Sequence, residues 1–547
     1  MNGNEHRHGA RGHAEAGQGG VEYVAMIGVV AAVVAGIVAL TVPTDTAVGL
    51  QDAVCRIVNA GDGDQGCDSG GGGTGDDGGG GGDGDIPEGP PGDPFQPAKC
   101  LLSQDQTKTT VVVQILFIKI SGSEQVKLQQ WSDGTVTLER ITESGGGVTG
   151  SISAGIPGLK DWGGSASLSG SYMRGSGSGG QWLFNGNKTG DPQKDLELNL
   201  EDAKQFTEYL KAQDECNSRP AGPRSSELGM ICGYHANKKK PDLPPEKAPD
   251  VDITKTSTEA AGSVSFGKSF TKGKGGKDKD GKPTDLGNIS GEFGSGTMTE
   301  DVVVMRANTG PDAGKITFIY TFSVDAKGGE IAQGKATRMQ QVAVTYDAAT
   351  YDQEEKDGKE HRPEKLVITT SQENGEGAGV QAGAGTNVPG TPVTIDVGGG
   401  GGTINSKIHT ESAELVLDND GDSKLVEDWL RGRGDFPASD ALPTPSEAAE
   451  APDSDAGPLE RLLHDKAKLS RLDYNANTDW WNASLGIGFG ISAGQVTLGF
   501  KLFGIDITHE EKNQTITGDP TYATGPKNGG ARPWVEWKNC TQTKPIA

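Results

Sequence analysis

The side chains of this sequence most able to do chemistry are its eight histidines and six cysteines. His6, His8 and His13 sit close to the N-terminus, and His235, His361, His409, His464 and His509 stand singly in loops or at strand edges. None shows the His-x-x-x-His or His-Glu-x-x-His spacing that places two metal ligands, or two ligands and a base, on one helical face. No Gly-x-Ser-x-Gly occupies a strand-to-helix turn, so Gly175 to Gly179 reads as a loop, and no phosphate-binding loop is present. Asp418-Asn419-Asp420-Gly421-Asp422 gathers acids as a calcium loop does, but its glycine comes too early for an EF-hand. A helix cap explains it better. The expectation is a protein that is not an enzyme and needs no cofactor and no metal.

The cysteines are Cys55, Cys67, Cys100, Cys216, Cys232 and Cys540. Their number is even and no Cys-x-x-Cys occurs, which favours disulfides in an oxidising compartment over zinc. The pairing stays open. Cys55 can join Cys67 or Cys100, Cys216 can join Cys232, and Cys540 would tie the C-terminus to whichever is left.

Behind these residues lies a chain of strands. The fold class expected is mainly β, with antiparallel sheets and some α+β elements, as an ectodomain behind one N-terminal transmembrane helix. Val111 to Ile120 reads as a ten-residue buried strand. Gln125 to Trp131 and Thr135 to Ile141 flank the turn Ser132-Asp133-Gly134. Residues 95–213 form a first β module that closes on a strand at Leu196 to Leu200 and an amphipathic helix. A Pro- and Lys-rich linker covers 214–257. Residues 258–432 form a second β module, which includes a Gly-rich bridge running to about 403 and a short helix at Ser423 to Arg431. A linker covers 433–456, and 457–547 carries a helix and a C-terminal β segment. The order strand, leucine strand, helix occurs twice, as a weak internal repeat. Strands 148–172 and 484–503 alternate small and apolar residues. Such strands can build a pore wall or a sheet with one dry face, and the second is expected here.

The net charge is −25, from 75 acidic and 50 basic residues, which argues against a nucleic-acid partner. Residues 44–94 are a juxtamembrane segment and a Gly/Asp tether, too polar to bury a core. Before it, Val24 to Val42 is uncharged and, at helical rise, about 28 Å long, close to the thickness of bilayer hydrocarbon. Residues 18–43 therefore read as a membrane helix whose partner is the lipid bilayer, through 24–42. Arg7 and Arg11 precede it and acids follow it, so the N-terminus is expected in the cytoplasm and the C-terminal bulk outside.

Gly17, then Gln18 to Val21, then Glu22-Tyr23 and an apolar helix resembles the N-terminus of type IV pilin-like proteins, in particular the small Flp pilins of the tight-adherence (Tad) system. The resemblance covers about 26 residues and implies a basic leader at 1–17, cut by a prepilin peptidase between Gly17 and Gln18. Glu22 would become the fifth residue of the mature chain and pair with the amine of a neighbouring subunit, since a carboxylate in lipid needs a cation. Partners would then be the peptidase and pilus or secretion components. The expectation is a single-pass, surface-exposed structural or adhesive protein of the cell membrane. The alternative is a plain membrane-anchored extracytoplasmic binding or sensing protein unrelated to pili, with Tyr23 an ordinary interfacial aromatic.

Overall fold

A computed structural model describes residues 92–115, 118–151, 169–186, 188–217, 248–262, 265–266, 291–292, 295–328, 333–387, 393–433, 437–439, 442–493 and 496–546. Twelve strands follow one another as antiparallel neighbours: β1 (Leu101–Ile115), β2 (Ile118–Trp131), β3 (Val136–Ser151), β4 (Ser169–Phe184), β5 (Val251–Gly262), β6 (Ser295–Ala307), β7 (Lys315–Gly328), β8 (Gln333–Asp347), β9 (Lys365–Asn387), β10 (Val393–Val416), β11 (Lys468–Ala493) and β12 (Val496–Ala523). The last pairs with the first, from Ser103 with Thr515 to Ile115 with Phe503. The sheet is thus a closed up-and-down barrel, which leaves none of these twelve strands at an open edge.

The two ends of the barrel differ. Every described helix lies on a connection at one end, called here the helical end. There stand α1 (Pro192–Asn217), α2 (Ala348–Asp357), α3 (Asp420–Gly432), α4 (Pro445–Ala449), α5 (Pro458–Lys466), the short strand β13 (Trp534–Glu536) and α6 (Lys538–Thr541). The opposite, hairpin end turns β1 into β2, β7 into β8, β9 into β10 and β11 into β12 over a few residues. A two-residue ladder, Ser265–Phe266 with Gly291–Glu292, stands apart between β5 and β6.

Helices and barrel share their cores at the helical end. Leu196, Leu200, Ala203 and Phe206 of α1 meet Val136, Leu138, Trp182 and Phe184 of β3 and β4. Val426 and Leu430 of α3, with Leu459 and Leu463 of α5, cover Val342, Val344, Leu366, Ile368 and Leu415. Each such side chain contributes about 1.5–3 kcal/mol when fully buried. Local signals start the helices: Asn419 accepts from Asp422 N at 3.0 Å to cap α3, and Thr444 and Glu447 form a capping box on α4. At the β2–β3 hairpin Trp131 N donates to Thr135 O at 2.9 Å, and Gly134 takes φ +84°. A Cβ there would also stand 2.9 Å from Pro192 O, where α1 begins.

The C-terminus is sewn to the start of the barrel. Cys540 is bonded to Cys100, Thr543 Oγ1 donates to Ser132 O at 2.8 Å, and Ile546 N donates to Gln130 Oε1 at 2.9 Å.

The architecture corrects the expected fold class. The β modules at 95–213, 258–432 and 457–547 are parts of one barrel, because β4 pairs directly with β5, which begins inside 214–257, and β10 pairs directly with β11 across 433–456. Leu196–Leu200 is the second turn of α1 and not a strand, so the internal repeat is not structural. The Gly-rich bridge is the paired length of β9 and β10. Val111 to Ile120 is the tip of a hairpin, and Val111 and Ile120 are exposed by 37% and 45% rather than buried. Among the described residues no helix is long and apolar enough to cross a membrane, which says nothing of strands. The segment 18–43 lies outside the described residues.

Candidate functional site: the two faces of the barrel wall

Side chains alternate between the two faces of each strand. The concave face is identified by Lys512 of β12, whose Nζ reaches Glu373 Oε2 of β9 at 2.7 Å with β10 and β11 between them. Such a reach is open only to residues that converge inside the ring. Around the closure Lys512 shares its face with Gln106, Lys127 and Glu139 through consecutive register partners. The burial pattern agrees: Tyr474, Ala476 and Thr478 are buried, Asp473, Asn475 and Asp479 are exposed, and Asn477 is half-buried.

The inner face is polar. Lys255 Nζ lies 2.9 Å from Glu143 Oε1 and 3.2 Å from Asp301 Oδ2, spanning β3, β5 and β6. It crosses β4 at Gly177, where an added Cβ would stand 2.6 Å from Glu143 Cγ. Glu373 also accepts from Ser406 Oγ at 2.7 Å, and Lys127 Nζ meets Glu139 Oε1 at 2.9 Å. Buried charges of both signs thus meet on the inner face, with Lys255 set against two carboxylates and Lys512 and Lys127 against one each. Toward the hairpin end the inner positions become small. Gly145, Gly175, Gly177, Gly398, Gly400 and Gly402 share this face by register, so the wall narrows there and the bore widens.

The outer face has three zones. At the helical end it is apolar and covered by helices. In the middle it is polar: Asn477 Nδ2 donates to Asn405 Oδ1 at 2.9 Å, Thr403 Oγ1 donates to Asp479 Oδ1 at 2.6 Å, and Thr109 Oγ1 shares a 2.8 Å hydrogen bond with His509 Nδ1 across the closure. Toward the hairpin end it is apolar again on five of the twelve strands, while the same face carries Arg174 on β4 and Glu300 on β6. One row of register partners reads Val397, Leu485, Ile505, Val113, Ile120 across five adjacent strands. The rows beside it run through Ile395, Ile487 and Phe503 and through Ala483, Ile507 and Val111. Trp481 stands at the border of the apolar and polar zones, stacked on His509 with ring centroids 5.4 Å apart. Over these five strands the wall is apolar outside and polar or small inside, with an aromatic at the border.

The titratable groups of the helical end are structural. His409 lies between Asp473 at 2.7 Å and Glu411 at 3.4 Å, and those hydrogen bonds raise its pKa to about 9 against the pull of burial. Burial pushes Glu411 up, but its bonds to His409 and Ser446 and the charge of Arg471 outweigh this and hold it at about 2. Burial lowers Arg532 to about 10, and its guanidinium donates to the backbone oxygens of Thr524, Leu463, His464 and Ala523 while facing the Phe95 ring. Among the described residues no group of His, Cys, Asp or Glu is placed to hold a metal ion.

Of the residues singled out from sequence, Cys100 and Cys540 are brought together. Cys216 falls in the last turn of α1. Gly17, Gln18, Glu22, Tyr23, Cys55, Cys67 and Cys232 lie outside the described residues. Sequence reasoning saw the alternation at 484–503 but expected a sheet with one dry face, and it missed that β1 and β12 carry the same outward apolar row beside β11. Its signal is legible in Leu485-Gly486-Ile487 and Phe503-Gly504-Ile505-Asp506-Ile507.

No protein-family model and no curated protein matches the chain. Among solved structures it is similar to an anion-selective porin from Comamonas acidovorans at 8% identity, covering 77% of this chain and 100% of that one with a TM-score of 0.13. It is also similar to Acinetobacter baumannii OccAB3 (6%, 76% and 99%, TM-score 0.10) and to OmpT, an outer membrane protein of Vibrio cholerae (6%, 76% and 100%, TM-score 0.09). Likenesses of this size carry no argument, and the reading rests on the barrel itself.

The closed barrel overturns the expected function and location. A single-pass, helix-anchored chain with all its bulk in water, whether pilin-like adhesin or plain anchored sensor, would present a β ectodomain with soluble outer surfaces. This barrel instead bares a contiguous apolar band on five neighbouring strands.

Proposed function

We propose that the hairpin-end half of the barrel sits in a lipid bilayer and that its bore passes small hydrophilic solutes. The observation that carries this reading is the outward row Val397–Leu485–Ile505–Val113–Ile120, back to back with a polar, glycine-rich inner face. A closed barrel satisfies its backbone groups internally, which is the condition for strands to enter hydrocarbon. Twelve strands enclose more room than the roughly eight at which side chains fill the interior, and less than the roughly sixteen of wide aqueous porins. The described helices wrap the opposite half, so the polar middle zone and Trp481 mark where lipid ends.

The test is conductance. Purified protein added to a planar phospholipid bilayer is expected to give discrete, reproducible current steps and to release a small entrapped dye from vesicles. Vesicles that retain their dye, together with a bilayer that stays silent while the protein is shown to be membrane-bound, would overturn the pore.

A further inference from the structure

We propose that an ionic floor, one level of six charged side chains, closes the passage in this conformation, and that the passage opens when these pairs part. This rests on reading the bore as a route for solutes, and deepens that reading by naming what controls it.

The strands of a closed barrel must lean. Register partners followed from Gly379 of β9 through β10, β11, β12 and onward round the barrel return to β9 at Lys365, fourteen positions nearer the helical end. A level drawn across the bore therefore shifts by a little more than one residue from each strand to the next. Drawn through Glu373 of β9, it passes within one or two residues of Lys512 on β12, Lys108 on β1, Glu143 on β3, Lys255 on β5 and Asp301 on β6, all on the inner face.

Three lysines thus meet three carboxylates at one height, and they are joined across the ring. Lys512 Nζ reaches Glu373 Oε2 at 2.7 Å over β10 and β11. Lys255 Nζ holds Glu143 at 2.9 Å and Asp301 at 3.2 Å. Lys108 stands nearly opposite Asp301, yet near enough for its charge to act on that carboxylate.

Side chains that face an open channel are wetted. Here Lys255 is 8% exposed and Glu373 5%, and the inward Thr478 and Ser406 beside this level are 4% and 5% exposed. Groups so shielded in the middle of a barrel are packed against one another rather than against water. On the hairpin side of the floor the inner positions are small, Gly145 and Gly175 near Lys255 and Gly400 and Gly402 near Lys512. A long side chain released from its partner has room to swing that way. The floor therefore has two arrangements: paired and dry, or parted and hydrated.

The test uses the full chain in detergent micelles, with Cys55, Cys67, Cys216 and Cys232 replaced by Ser and T478C as reporter, since Thr478 is the register partner of Lys512. The probe is the small neutral reagent methyl methanethiosulfonate. T478C is expected to react slowly, at least tenfold faster when combined with K512E or with E373K, and slowly again with both together. K512E and E373K change the local charge in opposite senses, so a common acceleration reports access and not the ionisation of the thiol. Rapid labelling of T478C alone overturns the proposal, as does an unchanged rate in folded K512E and E373K, or a swap that stays fast. Should the charge-reversed single variants fail to fold, E373Q, which keeps the shape, must accelerate labelling in their place, and an unchanged rate there overturns the floor. In planar bilayers the open fraction of the current is expected to rise in each single variant and to fall back in the swap. Labelling needs no current, so a silent bilayer with pair-dependent labelling removes only the pore, and conduction with pair-independent labelling removes only the floor.

Discussion

Leu485→Arg is the sharpest perturbation of the membrane reading. Leu485 is flanked by Val397 on one side and Ile505 on the other, on the second of the five strands of the apolar band. In water its side chain lies on the bare outer wall, where an arginine can extend into solvent, so folding should change by no more than about 0.5 kcal/mol. In lipid the same guanidinium would stand in hydrocarbon, at a cost of about 2–4 kcal/mol near the midplane. That difference weakens membrane partition about 30- to 700-fold. The assay is flotation with phosphatidylcholine vesicles on a sucrose gradient, at lipid concentrations that bracket half-binding. Asn475→Arg, on the polar outer zone of the same strand, is the control and should float like wild type. The reasoning fails if L485R partitions as wild type does, or if N475R is lost to the same extent.

Two further outcomes follow from the helical end and one from the middle of the wall. Replacing Cys100 and Cys540 by Ala removes a link across 440 residues and should lower stability by about 2–4 kcal/mol in denaturant titration, with reductant doing the same to wild type and nothing to the variant. His409, raised to about 9, contributes stability that is complete below 6.5 and is lost as pH rises through about 9; Glu411, held at about 2, contributes stability present above 4.5 and lost as pH falls through about 2. Melting temperature against pH should therefore fall on the alkaline side, and H409A should flatten that fall; an unchanged alkaline slope would show that His409 has no such linkage. Gly377→Val places a Cβ 2.7 Å from Ile404 Cγ1 and 2.8 Å from Thr403 O, and should destabilise by about 1–3 kcal/mol, whereas an unaltered unfolding midpoint would mean that β9 and β10 can part there freely.

Local features are legible in the sequence where short-range chemistry decides them. The Ser132–Gly134 turn needs a residue at positive φ, and glycine is there. The helix after Asp418–Asp422 has its cap and its inward Val426 and Leu430. What stayed hidden depends on distance along the chain. Nothing near Val111 tells that its neighbour is Ile507, so a run of β-branched residues reads as a buried strand instead of an outward-facing hairpin tip. Glycines at 375–402 look like a linker because glycine weakens an isolated strand. In the barrel they are needed: Gly375 and Gly377 lie under Ile404 and Ser406, where any Cβ would collide. Leu196, Leu198 and Leu200 alternate as a strand would, yet the helical turn through them buries Leu196 and Leu200 and leaves Leu198 in solvent.

The seam between β1 and β12 joins Thr109 to His509, residues 400 positions apart. A ribosome releases the first stave long before the last one exists. Until then β1 offers a bare row of amides and carbonyls to any passing strand, and the growing sheet curls with nothing to grip. Completion of the cylinder thus waits on β12, and a polypeptide cut before Val496 could form hairpins but not this hoop.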